Sequence, residues 1–427
     1  MAKAWTQTTI GELITKHGGS IKTGPFGTTL KAAEYSREGV PLISVGEIGY
    51  GTITIHESTP RVSPKVTERL SVYLLEEGDI VFGRKGAVDR SAIVQPEQSG
   101  WFLGSDGIRL RLPRDGKECD ARFLSYCLQE KSHRAWILSH ATGTTMPSLN
   151  QGVIERIPIP LPPLPIQRAI ARLLGTMDEK IKGNRRIART LEAMAMALFE
   201  SWFVRFEYGA RERRHVTEPT PVLPEGWRVG TLGDIAEVNA RTLSRLDDLP
   251  FIDYIEISEV MRGEVNVVTR YARGTEPSRA RRRLRHGDTV MSTVRPDRGA
   301  HFLCLDPSPS LIASTGFAVL SAKDADWAFV YVAATNPAVG VLLGRLADGG
   351  AYPAVRAEAI ANVPIALPND MTLRRVFHNI AAPLLQRAEI CRRQTATLAA
   401  MRDALLPKLI SGEISVPTPE SINQGGD

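Results

Sequence analysis

Two stretches of the chain place apolar residues at alternating four- and three-residue steps. The first runs Ile166, Ile170, Leu173, Met177, then Ile187, Leu191, Met194, Leu198. The second runs Leu373, Phe377, Ile380, Leu384, then Cys391, Leu398, Met401, Leu405. This heptad period is the signature of a coiled-coil seam and predicts two long helices. The first stretch has no proline from Ile166 to Phe206, and Pro162, Pro163 and Pro165 before it suit a first helical turn. About 38 residues at 1.5 Å each give a helix about 57 Å long. That overhangs a domain of about 160 residues, so a partner helix is expected. Lys180 and Asn184 interrupt the first stripe, Arg387 and Gln394 the second. Polar groups in a seam can fix register and an antiparallel choice, at some cost in stability.

Outside the helices the pattern is short and alternating. Residues 40–45, 80–82 and 108–112 read as strands between Gly and Pro turns, as do 251–255, 288–292 and 316–320. Residues 122–129 and 135–138 read as short helices. The expected architecture is α+β: mixed domains at 1–163 and 223–369, long helices at 164–207 and 370–414, a linker at 208–222 and a disordered tail at 415–427. Arg211, Arg213, Arg214, Pro219 and Pro221 give the linker its composition.

The two halves repeat one another. Residues 143–162 recur as 349–368, an offset of about 206. Trp5, Thr9, Gly11 and Glu12 are answered by Trp227, Thr231, Gly233 and Asp234. Gly78, Asp79, Arg84, Asp89 and Arg90 are answered by Gly287, Asp288, Arg295, Asp297 and Arg298. Two homologous domains follow, each with a helix behind it, packed antiparallel about a pseudo-twofold axis. Such a pseudo-dimer suits a bipartite target.

The length of 427 residues lets each repeat bury its own core. No apolar run reaches transmembrane length, and the N-terminus lacks a signal-peptide layout, so a cytoplasmic protein without a membrane partner is expected. Cys119, Cys127, Cys304 and Cys391 lack ligand spacing and read as reduced thiols, with no metal. The net charge of +6 is a mild excess. Its distribution is more informative: Arg279, Arg281, Arg282, Arg283 and Arg285 crowd together, with Arg295 and Arg298 close behind. That is either a nucleic-acid footprint or a solvated charged loop.

Catalytic motifs are missing. Asn336–Pro337 lacks the second proline and aromatic of a base-flipping methyltransferase tetrapeptide. Gly46, Gly49 and Gly51 have the wrong spacing for a dinucleotide loop, and neither a phosphate-binding loop nor a zinc helix occurs. His133 and His140 read as surface groups.

Three kinds of segment suit DNA instead. One is the loop from Lys22 to Lys31, with Thr28 and small residues for close backbone approach. Another is the turn with Arg84, Lys85 and Arg90, matched by Arg295 and Arg298; Arg and Lys can pair with guanine edges. The third holds Thr145, Ser148 and Asn150, matched by Tyr352 and Arg356. Arg281 and Arg283 complete the candidate contacts. Ordinary polar turns that cap strands are the competing explanation for each.

These features together resemble the specificity subunits of Type I restriction–modification systems. The resemblance rests on Ile157, Pro158, Ile159, Leu161 and Pro162 before the first helix, and Val363, Pro364, Ile365, Leu367 and Pro368 before the second. It extends to Gly24–Gly27, to Gly78–Lys85 and to the helix ends at Trp202 and Ser411–Ile414. It implies that each domain is a target recognition domain reading half of a split double-stranded DNA site. The helices would set the half-site spacing and dock two methyltransferase subunits. Those partners would carry S-adenosylmethionine, and motor–nuclease subunits would bring ATP and Mg. The chain itself would be non-catalytic. A specificity-like scaffold of another defence complex, or a self-contained DNA modification enzyme, are the alternatives. The second repeat departs from the pattern, because it has Asn369–Asp370 in place of the proline-rich entry and lacks a Gly–Pro–Phe–Gly loop.

Overall fold

The computed structural model describes residues 5–113, 118–143, 145–208, 223–244 and 247–417. Residues 209–222 of the expected linker, with Arg211, Arg213, Arg214, Pro219 and Pro221, and residues 418–427 of the expected tail lie outside the described residues. The chain divides into two compact units, Met1–Lys180 with Leu398–Asp427 and Ile181–Thr397.

In the first unit a four-stranded antiparallel sheet runs in the order Ser20–Thr23, Gly107–Arg111, Ile80–Gly83, Ser91–Ile93. Successive side chains of a strand point to opposite faces. Accordingly Ile80 and Phe82 join Ile108, Leu110, Leu124 and Ile154 in one core. Val81 joins Ile43, Leu75 and Leu103 in another. Covered on both faces, the strand reads as a continuous apolar run. A second sheet orders Tyr35–Ser36, Arg61–Val62, Val40–Ile43 and Phe102–Leu103, the last pair parallel.

The second unit repeats this plan. Its antiparallel sheet runs Ala236–Val238, Phe317–Ala322, Asp288–Ser292, His301–Cys304. Its other sheet runs Thr269–Ala272, Phe251–Ile255, Leu311–Ser314, Ala280–Arg283, with the middle pair parallel. Both units have mixed sheets and short helices, as the alternating pattern implied.

The repeated landmarks are structural devices. Thr6–Thr9 pairs with Pro158–Leu161, and Trp227–Thr231 with Pro364–Pro368, so each sheet domain begins and ends on one ribbon. Thr9 with Glu12, and Thr231 with Asp234, form reciprocal capping boxes at the helices that follow. A Cβ on Gly11 would lie 3.1 Å from the Glu155 carbonyl, and one on Gly233 3.2 Å from that of Ala361. Glycine therefore lets the capped turn approach its neighbour equally closely in both units. The Gly–Asp pairs shape the turn before the central strand. Gly78 and Gly287 hold φ of 85° and 83°. Asp79 accepts from the Glu76 amide and Asp288 from the Arg285 amide, each at 2.8 Å.

The long helices span Leu164–Phe199, continued by a π-turn at Glu200–Val204, and Thr372–Ser411. Within each unit they pack antiparallel. In the first, Asp178 meets Arg402. In the second, Asn184 meets Gln394, Ala188 meets Ala388 and Cys391, and Phe199 meets Phe377. The packed seam lies one position round the helix from the expected stripe at alternate contacts. Leu174, Ile181, Ala188 and Ala195 are buried, whereas Leu173, Ile187 and Met194 are exposed. On the other helix Ala381, Ala388 and Thr395 are buried, whereas Ile380 and Met401 are exposed. In the second unit small side chains, Ala188, Ala195, Ala381 and Ala388, occupy the contact line, and the larger Ile187, Met194 and Ile380 ride outside it. Hydrophobicity alone cannot distinguish those two lines.

A shared carboxylate fastens each helix pair to its sheet domain. In the first unit Asp178 accepts from the Tyr126 hydroxyl at 2.6 Å and from Arg402 at 2.7 Å. In the second Glu192 accepts from the Tyr331 hydroxyl at 3.1 Å and pairs with Arg392 at 2.5 Å. Burial, together with the adjoining carboxylate, pushes both tyrosine hydroxyls well above their ordinary range.

Among the described residues no single helix is long and apolar enough to cross a membrane. All four cysteines are buried.

The second clamp yields a stability prediction. The Arg392 and Glu192 side chains retain only 14% and 24% exposure. Arg392→Met should strand the carboxylate and cost about 3–5 kcal/mol in denaturant unfolding. Adding Glu192→Gln should recover much of the loss, because the remaining group is neutral.

Candidate nucleic-acid interface

In the first unit two loops meet at the end of the central strand Ile80–Gly83. The Gly86 amide donates to the Pro147 carbonyl at 2.9 Å, and the Leu149 amide to the Arg84 carbonyl at 2.8 Å. Lys85 and Ser148 form a bridge between these bonds. The second loop is closed on itself by a Thr142–Ser148 bridge and turns at Gly143, with φ of 96°. A Cβ on Gly143 would lie 2.6 Å from the Met146 carbonyl, so only glycine makes this turn so tightly.

The second unit builds the same pair. The Arg295 amide donates to the Pro353 carbonyl at 2.7 Å, and the Val355 amide to the Thr293 carbonyl at 2.9 Å. Val294 bridges Ala354, Asp348 bridges Ala354, and Gly349 turns at φ 115°. Backbone pairing therefore aligns Thr293 with Arg84 and Arg295 with Gly86. Arginine matching in the sequence had aligned Arg295 with Arg84 instead. Arg295 has the left-handed φ of 46° where the first unit has Gly86 at 74°.

The guanidinium groups nevertheless reach similar settings. Arg84 donates to the Ser105 carbonyl at 3.1 Å and lies 4.9 Å from the ring centre of Phe26. Arg295 donates to the Ala351 carbonyl at 2.6 Å and lies 4.8 Å from that of Tyr352. Both rings are exposed, at 56% and 72%. The Phe26 loop is fixed by the Gly24 amide donating to the Gly107 carbonyl at 3.0 Å. The structure thus brings Phe26, Arg84, Lys85 and Ser148 together in the first unit and Arg295 and Tyr352 in the second.

The other candidates are distributed around these loops. Thr28, Lys31 and Thr145 are exposed. Lys22 is half-buried, with its ammonium 5.1 Å from the Tyr73 ring centre. Arg90 lies 5.9 Å from the Tyr50 ring, which also packs 3.8 Å from the Arg134 guanidinium. Burial alone would raise the Asp89 carboxyl, but hydrogen bonds from Arg134 and Tyr50 hold it below its ordinary value. Asn150 is an N-cap whose side chain accepts from the Val153 amide at 3.0 Å. Its counterpart Arg356 makes no such capping bond and is exposed, as is Arg298.

The arginine cluster divides. Arg283 pairs with Asp247 at 2.6 Å, and Arg285 lies 3.4 Å from Asp288. Arg281 sits at a β-bulge in Ala280–Arg283 and donates to the Ser278 carbonyl. Burial lowers the Arg282 guanidinium from its ordinary value. The strand spends part of its charge internally, so the run exaggerates its free positive potential.

The missing loop of the second unit follows Ala236–Val238, the strand equivalent to Ser20–Thr23. The Asn239 amide donates to the Val319 carbonyl at 2.8 Å in the place where the Gly24 amide donates to Gly107. Its φ is 56°, and its side chain accepts from the Val319 amide at 3.0 Å. The following Arg241 is exposed and was missed in the sequence. An Asn able to take a left-handed conformation was the one available signal. Among the described residues no cluster of His, Cys, Asp and Glu could hold a metal ion.

Residues 2–193 match the family model for the type I restriction modification DNA specificity domain. Known proteins match along most of the chain. The MjaIX specificity subunit of a type I restriction enzyme, from Methanocaldococcus jannaschii, is 22% identical over 404 residues. The match covers 93% of this chain and 92% of that protein. The HindI specificity subunit from Haemophilus influenzae is 21% identical over 355 residues, covering 68% of this chain and 76% of that one. Among solved structures, the S subunit of a Type I restriction–modification system from M. genitalium has a TM-score of 0.58 at 19% identity. It covers 95% of this chain and 96% of that one, and the likeness is one of fold.

A Cβ on Gly24 would fall 1.7 Å from the Gly104 carbonyl oxygen, with backbone on both sides of the clash. Gly24→Ala should therefore displace the Phe26 loop and destabilise the first unit by about 1–3 kcal/mol. Thermal unfolding and amide exchange at residues 104–107 would register the change.

Proposed function

Since the chain belongs to the type I restriction–modification specificity subunits and is their non-catalytic DNA-specificity component, we propose that each sheet domain binds one half of a split double-stranded DNA site. The observation that carries this reading is the duplicated loop pair. In both units the same backbone bonds hold two loops at the end of the central strand, while the side chains on them differ. A common scaffold with unlike side chains suits two readers of unlike sequences.

In the first half-site Arg84, Lys85, Lys22, Lys31 and Arg90 contact phosphates or guanine edges, with Thr28, Thr145, Ser148 and Asn150 as polar neighbours. In the second, Arg295, Arg298, Arg281, Arg283, Arg356 and Tyr352 do so, with Arg241 added. Guanidinium groups held against aromatic rings are pre-oriented and lose less freedom on binding. Residues 1–163 and 223–369 act as the two target recognition domains, and the helices at 164–207 and 370–414 set the half-site spacing.

Two methyltransferase subunits dock on the helices in this reading. Leu173 in the first unit, and Ile187 and Met194 in the second, stand exposed at multiples of seven residues along one helix. Such a line is a seam for another helix. The partners supply S-adenosylmethionine and the chemistry on a flipped base. Motor–nuclease subunits join with ATP and Mg, and the complex works on cytoplasmic DNA.

Sequencing of methylated bases in cells with and without this chain tests the reading. A split motif should disappear when the chain is removed; an unchanged methylome would overturn it. Arg84→Ala should weaken binding to the intact site by about 1–3 kcal/mol and relax only the first half-site. Arg295→Ala should relax only the second. Lengthening both helices by two turns should change the gap between half-sites and leave their sequences unaltered.

A further inference from the structure

We propose that apolar side chains at the loop tips, Phe26 and Met146 in the first unit and Tyr352 in the second, read A·T pairs through the thymine methyl group. This rests on the DNA-reading role proposed above and names the chemistry of part of it.

Three observations lead there. First, Met146 and Tyr352 occupy the same place in the duplicated loop. Each stands three residues after a left-handed glycine and closes a turn whose ends are bridged. Met146 is 58% exposed and Tyr352 72%, so the position presents a large apolar group outward in both units although the residue type has changed. Secondly, the rings have firm support. Phe26 lies on Arg84 and Tyr352 on Arg295, and each arginine is itself hydrogen-bonded to a loop carbonyl. The arginines thus have a second role as positioning residues behind the rings. Thirdly, the Phe26 turn is closed by the Thr29 and Leu30 amides, both donating to the Phe26 carbonyl, and on its other side Gly24 packs directly against the Gly104 backbone and donates to the Gly107 carbonyl.

Such a group offers a base edge only carbon, or in Met146 a weakly accepting thioether sulfur. In the major groove the apolar feature of a base edge is the C5-methyl of thymine. A rigid apolar tip beside Lys85 and Ser148 is therefore matched to a thymine beside more polar neighbours. The Tyr352 hydroxyl is dispensable on this account, because the ring makes the contact.

The test uses the full chain and the DNA duplex it selects from a random pool. Each thymine of the selected site is replaced in turn by deoxyuridine, which removes only the methyl group. At least one substitution in each half-site should weaken binding by about tenfold. Phe26→Ala together with Met146→Ala should abolish the uridine effect in the first half-site and leave the second intact. Tyr352→Ala should do the converse, whereas Tyr352→Phe should retain it. Uniform indifference to uridine, with wild-type selection of a split site intact, would overturn the thymine assignment and leave the DNA-reading role standing. So would alanine variants that weaken binding while keeping the uridine effect, which would mark the tips as wedges between base steps. Failure of the wild-type chain to select any site would overturn the broader reading as well.

Discussion

The helix pair is held to each sheet domain by one carboxylate with two donors. Asp178 joins Tyr126 to Arg402, and Glu192 joins Tyr331 to Arg392. The Glu192–Arg392 pair, the better protected of the two, is costly to form and costly to break, so its main product is a fixed geometry. The seam around it reinforces that constraint. Ala188, Ala195, Ala381 and Ala388 bring the backbones of the second unit close, and a one-residue slip would drive larger side chains into that space. In the second unit neither helix can rotate without breaking both a hydrogen-bonded carboxylate and a close-packed line.

The loops obey a complementary rule. Their backbones are constrained by paired amides and carbonyls, by left-handed glycines at 143 and 349, and by Gly24 or Asn239 beside the first strand. Their tips lie outside the cores, supported only by neighbouring arginines, and differ between the units. Fixed backbones keep a contact within reach of its target, while exposed side chains can change without cost to the core.

Much of this was legible in the chain. The strands at 251–255 and 288–292 are those the alternation marks, and the repeated motifs locate both ribbons and both loop pairs. What remained hidden has identifiable causes. In the second unit the seam was misplaced by one position because Ile187 and Met194 are more hydrophobic than Ala188 and Ala195, which do pack; in the first, Leu173 and Leu174 are the same residue type and periodicity cannot choose between them. Arg295 was aligned with Arg84 because charge was matched, whereas the fold matches backbone pairing and puts Arg295 in the place of Gly86. The arginine run overstated its free charge because Asp247 and Asp288, distant or ambiguous in the sequence, neutralise part of it. Phe26 was not singled out within the Lys22–Lys31 loop; only its contact with Arg84 shows it as a supported ring.

The clamps also limit how far the duplication extends. A strict internal repeat would exchange the helices' roles between units, placing the second acid on Thr372–Ser411 and the second arginine on Leu164–Phe199. The structure keeps both acids on the first helix and both arginines on the second. Only the tyrosine changes sides, coming from the local sheet domain each time. The duplicated halves have therefore diverged into chemically distinct helices, one acidic and one basic at the points that matter. Opposite charges at a helix interface favour the unlike pairing and penalise the like one, where two acids or two arginines would face each other in partly buried sites. The clamps therefore distinguish the two helices chemically, while the paired loop backbones remain alike in both units.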